Sequence, residues 1–207
     1  MRAVWLLAAA CALQAADLPK IRYSKDFPGS VPAYVAIWVD RSGRGEFSDS
    51  PTGEMPMPLQ LEPPETTAIF SLAEKLDDFS KPLDSGLKVA FTGTKTFRYE
   101  DGAVAREVKF NYTQDAHAQL LLDWFERITE TSMHVINLER SVKFDRLGVD
   151  KALLLLQVTV EQNRLAGAGE LLPVLDRIVK NPAFFNRARE RAAAIAEMIR
   201  AGKAKTE

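Results

Sequence analysis

Residues 104–128 read VAREVKFNYTQDAHAQLLLDWFERI, and the spacing of the apolar side chains changes inside this stretch. Before Thr113 they recur at every second position, which is typical of a β-strand with one buried face. After Thr113 they recur at every third or fourth position, as in an amphipathic helix, and Asp115 is placed to cap that helix. The stretch therefore predicts an α+β fold, with an antiparallel sheet and a packed helix first and a helical subdomain after them.

The part of the chain before this stretch keeps the two-residue period from about Ile21. Residues 33–39 alternate with apolar side chains on both faces, which predicts a central strand. Asp40-Arg41-Ser42-Gly43 predicts a hairpin turn, followed by a return strand over residues 45–48. Three prolines between Ser50 and Pro58 predict a loop there.

One helix and a second hairpin are predicted before Thr113. Proline at positions 63 and 64 followed by Glu65 is typical of a helix start, and an apolar stripe follows at Ile69, Leu72, Ala73 and Leu76. Residues 95–100 and 104–112 predict two strands around the turn Asp101-Gly102. Two alternatives stay open for the hairpins at Gly43 and Gly102: an internal duplication, or two independent hairpins in one sheet.

After Thr113 the helical period continues to the end of the chain. It predicts helices over residues 115–143, 150–165, 170–180 and 181–201, and Asn181-Pro182 is expected to start the last of these and Gly202 to end it. Asp123 and Arg127 are spaced for an ion pair on one helix. Residues 153–156 are four consecutive leucines, which predict the centre of a helical core. The last helix is basic on one side and apolar on the other, which fits core packing or, as an alternative, a membrane surface.

The first sixteen residues have the composition of a secretory signal peptide. One cation at Arg2 precedes an apolar run over residues 3–13, and small residues follow at Ala15 and Ala16. The run is shorter than the about 20 residues that cross a bilayer. Cleavage removes Cys11, the only cysteine, so the mature chain has no disulfide. The alternatives are a buried or anchoring N-terminal helix, and a lipid anchor at Cys11.

These observations predict a division of the chain and a location. The segments are a signal peptide over 1–16, an antiparallel α+β domain over 17–114, a helical subdomain over 115–202 and a tail over 203–207. The mature protein is expected in the periplasm or outside the cell, with no further membrane-spanning segment. Lys and Arg total 27 against 28 Asp and Glu, so charge indicates no nucleic-acid partner.

No catalytic, cofactor-binding or metal-binding residue is predicted, and no cofactor. His117 and His134 are the only histidines; on one helix they lie about 25 Å apart, too far to share a metal ion. Ser85-Gly86-Leu87-Lys88 matches a Ser-x-x-Lys spacing of cell-wall enzymes, but a helix start is not predicted there. The acidic pairs Asp77-Asp78 and Glu62/Glu65 are interpreted as helix-end residues.

Residues 23–35, YSKDFPGSVPAYV, together with 95–99 and 108–112, resemble uncharacterised exported bacterial proteins with a hairpin-helix-hairpin-helix layout. The Gly-x-x-Pro-x-Tyr segment that starts at Gly29 is also similar to a bacterial domain of unknown function, in which it enters the first hairpin. Phe27 and Val31 stand where that domain often has cysteines, so the resemblance implies no redox role here. It implies no activity.

Three hypotheses for function follow. The leading one is an exported, non-catalytic module of the bacterial envelope or secretome that binds a protein or a small ligand. The alternatives are a small hydrolase with an unrecognised active site, and an inhibitor of an exported enzyme that uses an exposed rigid loop at residues 51–58 or 80–93. A cleft with a carboxylate of shifted pKa favours the enzyme, whereas a flat exposed apolar patch favours the binding module.

Overall fold

The computed structural model describes residues 18–204, so the predicted signal peptide and residues 205–207 of the tail lie outside the described residues. An antiparallel sheet comes first, and its strands are β1 Lys20–Asp26, β2 Tyr34–Asp40, β3 Arg44–Ser48, β4 Met57–Gln60, β5 Thr94–Asp101 and β6 Val104–Phe110. The helices are α1 Pro63–Lys75, α2 Ala116–Phe144, α3 Val149–Glu161, α4 Leu172–Lys180 and α5 Asn186–Ala204. Within residues 18–204 no strand follows β6, and the α+β prediction is confirmed.

The strands lie in the order β4-β3-β2-β1-β5-β6, and every neighbouring pair is antiparallel. The strand predicted as central, β2, lies inside the sheet. The turn before β3 closes at Gly43, which has a φ of +80°, and a Cβ there would lie 2.6 Å from the carbonyl oxygen of Leu61. Both hairpins belong to one sheet with β1 between them; their duplication stays a prediction.

The loop predicted over residues 50–58 is shorter than expected because β4 begins at Met57. Met57 pairs with Phe47, and Pro58 pairs with Glu46. A proline is tolerated in this strand because β4 is an edge strand, where one side of the backbone needs no hydrogen-bond donor. Leu59 is buried against the sheet core, and its burial stabilises residues 57–60 as a strand.

One hydrophobic core lies between the sheet and the helices α1 and α2. The stripe predicted for α1 is buried in it, as are the side chains of one face of the sheet; they include Ile21, Val35, Ile37, Phe97, Ile69, Phe70, Leu72, Ala73 and Leu76. Helix α2 contributes Leu121, Phe125 and Ile128. Phe125 stacks on Tyr23 with ring centres 4.9 Å apart, which fixes α2 against β1.

A second core joins the C-terminal helices. Its members come from the end of α2, from α3, from α4 and from α5; they include Leu138, Val149, Leu153, Leu156, Val174, Leu175, Ile178, Ala192, Ile195 and Ile199. The 29-residue helix α2 thus contributes side chains to both cores. In α5 the apolar side packs inward as predicted, whereas Phe185, just before the helix, is 63% exposed.

The leucine run lies in the helical core as predicted, through two of its four residues. Leu153 and Leu156 are buried, but Leu154 is 48% exposed and Leu155 56% exposed. Successive residues of a helix are rotated by 100°, so four in a row point around the whole circumference. Only the side that faces α2 and α5 is covered.

The start and end of the last helix also differ from the prediction. Asn181 accepts a hydrogen bond from the backbone N–H of Ala183 through its side chain at 2.9 Å, which makes a local turn, and α5 begins five residues later at Asn186. The helix continues past Gly202 to Ala204. No helix within residues 18–204 is long and apolar enough to cross a membrane.

Candidate functional site

The two histidines lie on the same helix, α2, and do not approach each other. His117 is exposed in the first turn, where Asp115 accepts hydrogen bonds from the backbone N–H groups of residues 117 and 118 as the predicted cap. His134 is half-buried, with Nε2 2.9 Å from the hydroxyl of Thr159, and burial lowers its pKa. Among residues 18–204 no group of histidine, cysteine and carboxylate side chains is arranged to hold a metal ion.

The Ser-x-x-Lys match lies on an irregular surface segment. Ser85 accepts a hydrogen bond from the backbone N–H of Leu87, and Lys88 is exposed. The segment at Asp40 forms the predicted hairpin turn, in which Asp40 accepts hydrogen bonds from Ser42 N–H at 2.8 Å and Ser42 O–H at 2.6 Å. Burial raises the pKa of Asp40, but these hydrogen bonds and the charge of Arg44 outweigh it and hold the pKa below its usual value.

The acidic pairs have structural partners. Asp77 pairs with Lys81, and Asp78 pairs with Arg106 at 3.2 Å. Glu65 accepts a hydrogen bond from the backbone N–H of Glu62 at 2.8 Å in a capping box at the start of α1. None of these pairs presents two free carboxylates to one cleft.

A cavity of about 370 Å³ lies between α1 and the C-terminal helices. Its wall includes Glu65, whose two carboxylate oxygens each lie 3.1 Å from the backbone nitrogen of Gly167. Burial raises the pKa of Glu65, and a shifted carboxylate in a cleft is a feature that favours the enzyme hypothesis. Because both oxygens already accept backbone N–H groups, however, the carboxylate connects the two parts of the chain.

The ion pair predicted between Asp123 and Arg127 does not form. Asp123 instead binds Arg164 at 2.7 Å, and Arg164 also binds Glu130 at 2.6 Å. Arg127 lies with its guanidinium 4.4 Å from the ring centre of Trp124 and donates to the carbonyl oxygen of Leu165 at 2.9 Å. Its Nε is buried without a hydrogen-bond partner. Asp123 thus pairs with Arg164, which is distant in sequence, and not with Arg127 on its own helix. Sequence spacing alone does not show such a long-range pair.

Residues 81–93 form an exposed segment that is held at several points by the end of β6. Asn111 accepts from the backbone N–H of Thr92 at 2.8 Å and donates to the carbonyl of Ala90 at 3.1 Å. The buried ammonium of Lys95 donates to the carbonyl of Asn111 at 2.8 Å and to the hydroxyl of Thr92 at 2.9 Å. The segment exposes Leu87, Val89 and Phe91, the kind of held loop that the inhibitor hypothesis requires.

The face of the sheet opposite the core carries a shallow cavity of about 360 Å³, and no helix residue lines it. The strand register places side chains of this face in rows that run across the strands. Across β3, β2, β1 and β5 one row consists of small residues and forms a trough, and Lys109 of β6 follows at its end; the small residues are Ser48, Ala36, Ser24 and Thr96. The trough spans three strand spacings, or about 14 Å.

A charged and aromatic wall borders this trough on one side. Its residues occupy the next row of the same face; they are Glu46, Trp38, Arg22, Arg98 and Glu107. The indole N–H of Trp38 donates to Glu46 at 2.9 Å. Arg98 donates to Glu107 at 3.4 Å, and both arginines bind Glu100 at 2.7 to 2.8 Å. These bonds link the charged side chains of the wall to one another.

Tyr34 and the loop before β4 border the other side of the trough, with Gly53 and Pro56 among the lining residues. Tyr34 and Trp38 are four residues apart on β2, hence about 14 Å apart along the strand. The hydroxyls of Ser24, Thr96 and Tyr34 make no hydrogen bond to another residue in the described range. The trough therefore combines two aromatic side chains with hydroxyl groups that are free for a ligand.

The sequence contained one sign of this site. The alternation of β2 predicts Tyr34, Ala36 and Trp38 on one face, but by itself this pattern indicates only a central strand. The other trough residues come from β1, β3 and β5, and nothing in the sequence states which of them face each other. Comparison with protein-family models, with curated proteins and with solved structures gives no match. The resemblance to exported bacterial proteins stays a prediction.

Proposed function

We propose that this protein is exported and that its mature part is a non-catalytic module that binds its ligand on the uncovered face of the sheet. The observation that carries the proposal is the trough over Ser24, Ala36 and Thr96, with Trp38 in its wall. Ligand sites in proteins are concave and pair apolar surface with a few fixed polar groups. Here the apolar surface comes from aromatic rings, and the polar groups from hydroxyls and an ion-paired wall.

The hydrolase alternative has less support. Its best residue is Glu65, a half-buried carboxylate whose pKa is raised by burial. General acid and base groups need an oxygen that is free to reach a substrate, whereas the oxygens of Glu65 accept the backbone N–H groups of Glu62 and Gly167. The role that these contacts support is the connection of α1 to the segment before α4.

The proposal is tested by blocking the trough without removing any existing contact. Ser24→Tyr places a ring over the floor, and tyrosine is well accommodated in a strand. Ser71→Tyr on the exposed side of α1 is the matched control. Thermal unfolding is followed with size fractions of a soluble extract from a bacterial envelope, because a ligand of the folded state raises the midpoint. We expect one fraction to raise the midpoint of the wild type and of Ser71→Tyr but not of Ser24→Tyr.

An equal rise in Ser24→Tyr would place the ligand elsewhere and would overturn the proposal. The inhibitor alternative is tested with a further variant, Phe91→Ala, in the exposed segment 81–93. If the fraction no longer raises the unfolding midpoint of Phe91→Ala but still raises that of Ser24→Tyr, segment 81–93 would be the contact surface.

A further inference from the structure

We infer that the ligand of the trough is a neutral, linear oligosaccharide that lies across the strands. The inference rests on the proposed function, since it names the chemical class that the same site accepts. Three properties of the trough support it: its hydroxyl-bearing floor, its charge-balanced wall and its position in the interior of the sheet.

The floor matches a ligand rich in hydroxyl groups. Ser24 and Thr96 are half-buried, with hydroxyls that bind no other residue of the described chain. A hydroxyl both donates and accepts, so it pairs with the hydroxyl of a sugar in either direction. Ser24 and Thr96 are neighbours, and Ala36 on the other side of Ser24 keeps that part of the floor low, so that a ring-shaped unit reaches these groups without a steric clash.

The aromatic side chains match the apolar face of a sugar ring. Trp38 and Tyr34 stand on opposite sides of the row that contains Ala36. The C–H groups of a pyranose form an apolar face, which packs favourably on the electron-rich face of an aromatic ring. Lys20, one row further from the trough, places its ammonium 5.4 Å from the ring centre of Trp38 and so holds the indole from the far side.

The charges of the wall favour a neutral ligand over an ionic one. Arg22 and Arg98 are both paired with Glu100, and Arg98 also binds Glu107. An acidic polymer would have to displace these carboxylates from the arginines, and a basic one would have to displace the arginines. The ion-paired guanidinium and carboxylate groups of the wall can still form hydrogen bonds with sugar hydroxyls. A guanidinium has five N–H donors and a carboxylate about four acceptor sites, so an ion pair does not use all of them.

The position of the trough disfavours a peptide. Extended peptides bind sheets by adding a strand to an exposed edge, where backbone groups are free. The edges of this sheet are β4 and β6, whereas the trough crosses β3, β2, β1 and β5. Backbone groups of interior strands are used within the sheet, so a ligand there has to be recognised by side chains alone.

The test is a titration of the ¹⁵N-labelled protein, followed by two-dimensional NMR. The probes are cellotetraose, laminaritetraose, maltotetraose and the β-1,4-linked tetramer of N-acetylglucosamine, with a heparin-derived tetrasaccharide and a neutral tetrapeptide mixture for comparison. We expect at least one neutral tetrasaccharide to shift the amide signals of residues 24, 36 and 96 and the indole N–H signal of Trp38. Trp38→Ala should weaken its binding at least tenfold, and Ser24→Tyr should abolish it.

Phe144→Ala is the matched control for the loss of an exposed aromatic ring, since Phe144 lies at the end of α2 and is 73% exposed. It should leave the affinity unchanged. If Trp38→Ala is poorly folded, Ser24→Tyr provides the same test with the wall intact. If only the peptides, or only the heparin fragment, shift the trough signals, the oligosaccharide inference is wrong while the proposed function stands. If no probe shifts them and the envelope fractions also fail, both are wrong.

Discussion

Lys95 is the residue whose environment differs most from that expected of its type. It is only 6% exposed although it carries an ammonium group. Its Nζ donates to oxygens of Thr92, Gly93 and Asn111, so that a single side chain ties the start of β5 to the end of β6. Burial and the nearby charge of Lys25 lower its pKa. A buried charge persists in a fold only when such partners surround it.

Replacing Lys95 by methionine keeps the length of the side chain and removes the donor. The carbonyls that it binds then lack a partner, and we expect the free energy of unfolding to fall by about 1–3 kcal/mol. Urea unfolding measures this change, and hydrogen exchange should show faster exchange in residues 81–93. Lys109→Met, on the exposed side of β6, is the control and should change the stability by less than about 0.5 kcal/mol. Equal stabilities for the two variants would show that the ammonium contributes nothing to the fold.

At the scale of elements, the start of α1 determines how the helical part meets the sheet part. Glu65 bonds to Glu62 within its own helix and to Gly167 in the segment before α4, 102 residues away. Gly167 has a φ of +69°, a conformation that glycine adopts without strain. A capping box, which normally stabilises one helix, here also joins two parts of the molecule.

We expect Glu65→Ala to lower the free energy of unfolding by about 1–3 kcal/mol, because a backbone N–H at the junction loses its acceptor. Glu65→Gln keeps one acceptor oxygen and should lose less. Glu74→Ala is the control on the same helix, since its ion pair with Arg41 is exposed and contributes about 0–1 kcal/mol. Urea unfolding of the three variants at neutral pH checks the order. A Glu74→Ala loss as large as that of Glu65→Ala would refute the junction role.

Because the pKa of Glu65 is raised, the difference in free energy of unfolding between the wild type and a Glu65 variant should depend on pH. The folded state binds the proton of Glu65 more tightly than the unfolded state does. The contribution of Glu65 to the free energy of unfolding therefore falls as pH rises. The fall begins at the unfolded pKa, about 4.3, and ends above the raised folded pKa. Glu65→Gln does not titrate. The stability difference between wild type and Glu65→Gln should therefore change across this window and be flat above it.

At the scale of the whole molecule, the proposed export predicts where the mature chain begins. The apolar run ends at Leu13, small residues follow, and β1 begins at Lys20. Cleavage between Leu13 and Asp17 therefore leaves every described strand intact. We expect N-terminal sequencing of material recovered from the periplasm or medium to give a first residue in this interval. An intact Met1 on such material would contradict the signal-peptide proposal.

The predictable part of the fold is local. The change of period near Thr113, the cap at Asp115 and the turns at Gly43 and Gly102 each depend on residues within one turn or one strand of each other, and the structure has elements of the predicted type there. The errors have a different origin. Arg164 takes Asp123 away from Arg127, and burial of Leu59 extends β4, because contacts made on folding override local preference.

The sequence by itself determined the type of most elements, since the spacing of apolar side chains fixes the period that can bury them; β4 and the start of α5 are the exceptions. It also predicts no metal-binding cluster of cysteine and histidine, because the chain has one cysteine and two histidines. Only the tertiary structure decided the trough, because Ser24 and Thr96 become neighbours through the pairing of β1 with β5 across some 70 residues of chain. That pairing is selected by the burial of Ile21, Tyr23, Phe97 and Tyr99 on the opposite face. The residues of the face on which we propose that the ligand binds are therefore determined by the core behind it, through side-chain alternation in paired strands.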